Sequence, residues 1–200
     1  VPSYTTPPST TTSNGQGNVT TTSAPAAHVT ESGQYYSIDL QYPSATPLAS
    51  TAGASADAAA VASMKDFSQS TANSFITENN LADISPQDAQ QLGLTQGRQY
   101  SLSDEYTYYS SPAAISYVMT VSEDTLGAHP NNYFKTFAFD AKTGTLLQLS
   151  DLFVPGADYL TALSNISRSM LTQQLGNSAD PDMINAGTSA DANDFINFAL

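Results

Sequence analysis

Two histidines, 18 carboxylates and no cysteine set the chemistry open to this chain of 200 residues. Without cysteine there is no thiolate nucleophile, no zinc-thiolate centre and no disulfide framework. His129 stands in Gly127-Ala128-His129-Pro130-Asn131, whereas His28 falls in a Thr-, Ser- and Pro-rich stretch that reads as a tail. A Ser-His-Asp system would have to pair His129 with one of many serines, yet no Gly-x-Ser-x-Gly elbow surrounds any of them. Neither an HExxH pair nor a calcium-loop spacing occurs. With 18 acids present, nothing singles out a glycosidase pair, and Asp104-Glu105 and Glu123-Asp124 read as solvated strand-end charges. These residues predict no catalytic group, no metal site and no cofactor, and so a chain that is not an enzyme.

The segment best suited to a special local structure is the loop carrying His129. Gly127 permits an unusual backbone, and Pro130 holds the residue before it extended. Gly127, Ala128, His129, Pro130, Asn131 and Tyr133 are the predicted binding residues. The competing reading is that His129 bonds the backbone and fixes entry into the next strand. Asp140 and Asp151 read as turn and cap residues.

The elements that position this loop follow from periodicity. Tyr133, Lys135, Phe137 and Phe139 alternate with Phe134, Thr136, Ala138 and Asp140, which is a strand with one aromatic face. Asp140-Ala-Lys-Thr-Gly144 supplies hairpin-turn chemistry, and Leu146, Leu147 and Leu149 read as the return strand. Upstream, Tyr36, Ile38, Leu40 and Tyr42 form a half-buried strand. Residues 54–79 keep Val61, Met64, Phe67, Thr71 and Phe75 at helical spacing, a Met and Phe stripe that reads as core and not as a ligand pocket. Ser85-Pro86 caps a short helix that Gly93 stops. Tyr100 to Ser110 and Ala113 to Glu123 read as antiparallel strands, with Ile115, Tyr117, Met119 and Val121 on one face. Tyr159 to Leu171 is an amphipathic helix ended by Gly176, and Phe195 to Leu200 reads as a strand. The expected fold is α+β: an antiparallel sheet of roughly four to six strands packed against two main helices.

Residues 1–30 contain no Asp, Glu, Lys or Arg and are dominated by Thr, Ser, Pro, Ala and Gly, so they cannot bury enough apolar surface to offset the cost of ordering. Residues 1–34 are therefore expected to be a disordered stalk or linker, and residues 35–200 a single domain. Five cations against 18 carboxylates give a formal charge of −13, which excludes nucleic acid and anionic lipid as natural partners and favours a cationic protein. No apolar run reaches the ~20 residues needed to span a bilayer, so membrane attachment would need an anchor outside this chain.

The run from Gly127 to Phe153 also resembles a bacterial extracytoplasmic domain family. That family is shared by lysozyme-sensing anti-sigma factors, secreted mycobacterial immunogenic antigens and accessory domains of peptidoglycan deacetylases. The resemblance rests on Gly127, His129, Pro130, Phe137, Phe139, Asp140, Thr143, Gly144, Leu147, Leu149, Asp151, Leu152 and Phe153, followed by Tyr159 and Leu160. It implies an extracytoplasmic location, secreted or tethered to the cell surface. It also implies a binding or sensing role toward a cationic cell-wall hydrolase of lysozyme type, or toward cell-wall glycan. The alternatives are an accessory domain of a peptidoglycan-modifying enzyme and an antigen-like protein of unknown partner. Relatives continue beyond Leu200, so the resemblance further implies a C-terminal segment either removed or present as a separate chain.

Overall fold

The computed structural model describes residues 26–46, 48 and 52–200. They divide into two compact units, one running to Leu146 with Ala199 and Leu200 added, the other Leu147–Phe198. The stretch read as a stalk lies outside the described residues up to residue 25. Its end does not: Ala26–Ser32 is a strand, β1, paired antiparallel with β2, Tyr36–Pro43.

The first unit is a five-stranded sheet in the order β1-β2-β3-β4-β5, completed by β3 (Tyr100–Ser110), β4 (Ala114–Asp124) and β5 (Asn131–Asp140). The sheet is mixed where an antiparallel one was expected, because β2 and β3 pair in parallel. The cause is the long crossover between them, which carries the chain back to the end of the sheet at which β2 begins. That crossover contains α1, Gly53–Glu78, and α2, Pro86–Gln91, whose Ser85 cap accepts the Asp88 N–H as the sequence predicts.

The face of the sheet turned to α1 carries the core. Ile115, Tyr117, Met119 and Val121 on β4 stand opposite Phe139, Phe137, Lys135 and Tyr133 on β5, so both predicted alternations meet on one face. On α1 the fully buried stripe is Ala60, Met64, Ser68, Ala72 and Phe75. Small residues at three of those positions let the helix lie close to the sheet, and Phe67 and Thr71 become its shoulder.

The hairpin turn after β5 forms as expected: Asp140 Oδ1 accepts the N–H groups of Lys142 and Thr143 at 2.9 and 2.8 Å, and Gly144 has φ +70°. The return strand does not. Only Leu146 bridges back to Phe139, because Gln148 and Asp151 form a reciprocal capping box that turns Leu149–Leu152 into a 3-10 helix.

In the second unit α3, Tyr159–Leu175, starts at an Asp158 cap and packs against α4, Pro181–Gly187. The fold is α+β as expected, and of its two main helices α1 belongs to the unit of the sheet and α3 to the second unit. Ser164 on α3 donates to Thr188 O, which also accepts from Arg168 at 3.3 Å. Phe153 stacks on Tyr159 with ring centroids 4.3 Å apart. The expected terminal strand from Phe195 does not form: a 3-10 turn, Ala192–Phe195, begun by the Asp191 side chain, ends there and residues 196–200 continue without regular structure. Among the described residues no helix is long and apolar enough to cross a membrane.

Candidate functional site

A cleft of about 540 Å³ opens in the first unit between α1 and the ends of β4 and β5. Its apolar floor comes from Phe67 and Phe75, core residues as expected, Phe75 buried and Phe67 packed against the core with part of its surface open. Both rings are held edge-on by the sheet, Phe67 by Phe137 at 6.0 Å and Phe75 by Tyr100 at 6.5 Å. The rim is polar. Ser70, Ser74 and Glu78 follow one another at helical spacing along α1, and Glu123, Thr125 and Tyr133 face them from the sheet.

One hydrogen bond orders the sheet wall, and a hydroxyl of α1 stands near it. The Tyr133 hydroxyl donates to Glu123 Oε1 at 2.8 Å, and Thr71 of α1 lines the cleft on the side facing it. Burial first, then the Glu123 carboxylate, pushes the Tyr133 phenol up to about 12, so it keeps its proton at neutral pH and acts as a donor. Glu123 and Tyr133 are a diagonal cross-strand pair, since Val121 is the register partner of Tyr133 and Glu123 lies two residues on. Glu123 is thus an oriented wall residue of the cleft and no mere solvated charge.

Of the predicted binding residues, Tyr133 alone lines this cleft. Gly127, Ala128, His129 and Pro130 form an exposed loop leading into β5, whose first residue is the exposed Asn131, and His129 Nδ1 lies 3.0 Å from Pro130 O. The unusual backbone falls at Leu126, with φ +66°, and not at Gly127. Leu126 is held there by Asp124, which accepts its N–H at 2.8 Å, and by Arg98, which donates to its carbonyl at 3.0 Å.

His28 belongs to the fold. On β1 its Nε2 lies 2.6 Å from Asp39 Oδ1 on β2. Neither histidine lines the cleft. Asp104, read as solvated, is 3 % exposed between α1 and β3, and burial pushes its carboxyl up to about 6 against the opposing pull of Ser68 and Gln41. Among the described residues no group of three or more His, Asp or Glu side chains gathers in metal-ligating geometry.

Glu78, Glu123 and Thr71 were absent from the predicted site. The Ser70, Ser74, Glu78 spacing was readable once the helix was placed, but the Glu123–Tyr133 pair depends on the β4–β5 register.

No family model matches the chain. It is 25% identical over 174 residues to Esterase Rv3036c of Mycobacterium tuberculosis, covering 86% of this chain and 66% of that protein. The chain thus spans a little under two thirds of that relative's length. A DUF3298 family protein from Pseudomonas aeruginosa is similar over 82% of this chain and 73% of its own, at 12% identity and a TM-score of 0.41. A DUF3298 family member from Bacteroides fragilis is similar over 80% and 71%, at 15% identity and a TM-score of 0.44.

The expectation that the chain is not an enzyme is overturned by the relative named as an esterase. The expectation had rested on a single histidine in the folded region, on the absence of cysteine and of a metal-ligand motif, and on carboxylates assigned to solvent. The first and last of these premises fail, since His28 sits in β1 and Glu123 is oriented within the cleft.

Proposed function

We propose that this chain is an extracytoplasmic ligand-binding domain that hydrolyses an ester held in the cleft between α1 and β5. The observation that carries the reading is the Glu123 carboxylate, oriented by Tyr133 on the wall of a cleft with an apolar floor and a hydroxyl-rich rim. The name of the mycobacterial relative supports the reaction class. With one oxygen engaged by Tyr133, the other accepts the proton of a water that adds to the acyl carbon. The acyl C–O bond then breaks, Glu123 returns the proton to the departing alkoxide, and acid and alcohol leave. The Phe67 and Phe75 floor seats the apolar part of the substrate.

Hydrolysis of p-nitrophenyl acetate by the purified chain tests this. Glu123→Gln should lower the rate by about 10²-fold or more, the usual contribution of a positioned base. A rate equal to that of buffer, or one unchanged by Glu123→Gln, overturns the proposal.

The charge of −13 favours a second reading, recognition of a cationic cell-wall hydrolase of lysozyme type by the same envelope-facing chain. Calorimetry with lysozyme at two ionic strengths tests it: affinity that falls as salt rises is expected, and absence of binding at low salt removes it.

A further inference from the structure

We infer that the group recognised in this cleft is an alkylammonium cation. The inference rests on the cleft being the ligand site and adds the substrate class. Two partly exposed aromatic rings, Phe67 and Tyr133, together with the buried Phe75, share the cleft with two carboxylates, Glu78 and Glu123, and its described lining holds no Lys, Arg or His. An anionic ligand would face both carboxylates without a counter-charge. A purely apolar one would strip water from them and give nothing back. An ammonium with an alkyl shell satisfies both features, since its methylene or methyl groups pack on Phe67 and Tyr133 and its charge meets the aromatic rings and the carboxylates. Tyr133 contributes twice, as a ring and as the donor that fixes Glu123. The chain's formal charge of −13 attracts such a cation from a distance.

The same chemistry comes from two sources, a free ammonium ester or alcohol and a lysine side chain of a protein. Choline, its neutral isostere 3,3-dimethyl-1-butanol, and Nα-acetyl-lysine N-methylamide separate the cases when titrated into the intact chain by calorimetry and amide chemical shift. Choline should bind at least about tenfold more tightly than the isostere, which corresponds to about 1.4 kcal/mol. The preference should disappear in the Glu78→Gln, Glu123→Gln double variant, whose substitutions keep side-chain size at partly or fully exposed positions. Tighter binding of the lysine derivative than of choline assigns the site to a protein side chain, and the reverse to a free ligand. Equal binding of choline and the isostere, or a preference that survives the double variant, overturns the inference. Turnover of p-nitrophenyl acetate is scored separately. Glu123-dependent turnover without cation preference sinks only the ammonium assignment. Cation preference without turnover sinks only the esterase reading.

Discussion

Asp104 Oδ1 accepts a hydrogen bond from the Gln41 N–H at 2.6 Å, at the point where the parallel ladder between β2 and β3 stops. Leu40 with Asp104 is the last register pair, so a side chain takes over a donor that the ladder leaves free. The second carboxyl oxygen is buried beside the Ser68 hydroxyl of α1. Neither atom makes a well-formed hydrogen bond, although the hydroxyl lies near enough to favour the carboxylate.

That arrangement makes Asp104 a source of pH-dependent stability. Its folded-state value of about 6 lies above the ordinary 3.8, so between those values the native state holds a proton that the unfolded chain has released. Stability from this group is therefore full below about pH 4 and lost as pH rises through 6, by about 3 kcal/mol in all for a shift of roughly two units. Asp104→Asn keeps an acceptor for Gln41 and carries no charge. It should stabilise the chain at pH 7.5 by about 1–3 kcal/mol and flatten the decline in melting temperature between pH 4 and 6. Identical pH profiles for variant and parent would show that Asp104 is ionised throughout.

Gly144 joins the β5 turn to the helix. At φ +70° it occupies the left-handed region, and a β-carbon there would lie 2.6 Å from Ala56 Cβ on the first turn of α1. The backbone cost is about 1–2 kcal/mol and the overpacking cost of similar size, so Gly144→Ala should lower unfolding free energy by about 2–4 kcal/mol. Urea denaturation with an unchanged slope is the measurement. A loss under half a kilocalorie would mean that the turn and α1 are not in contact in solution.

Much of this architecture was legible in the sequence because it is local. The alternation from Tyr133 to Phe139 and the Ser85-Pro86 cap each state their geometry within a few residues. What failed to show was settled by competition or by distance. Leu146 to Leu149 has strand-like residues, but the Gln148–Asp151 capping box wins locally. Phe195 to Leu200 is apolar enough for a strand, yet Asp191 starts a 3-10 turn just before it. β1 is made of residues with little intrinsic drive to order, and it exists through its pairing with β2. The cleft shows the same division. Its hydroxyl stripe on α1 is a periodicity, whereas the Glu123–Tyr133 pair follows only from strand register.

Phe134 and Phe139 test that register directly, because they lie on opposite faces of β5. Phe139 is 2 % exposed and meets Tyr117 edge-on at 6.5 Å, whereas Phe134 is 59 % exposed on the face turned away from α1. Phe139→Ala removes a ring from a packed core and should cost about 3–5 kcal/mol. Phe134→Ala should cost under about 0.5 kcal/mol, as for other surface positions without special contacts. A slip of β5 by one residue would exchange the two faces and with them the two costs. Chemical denaturation of both variants beside the parent decides it: a large loss for Phe134→Ala with little for Phe139→Ala would reverse the strand and take Tyr133 out of the cleft.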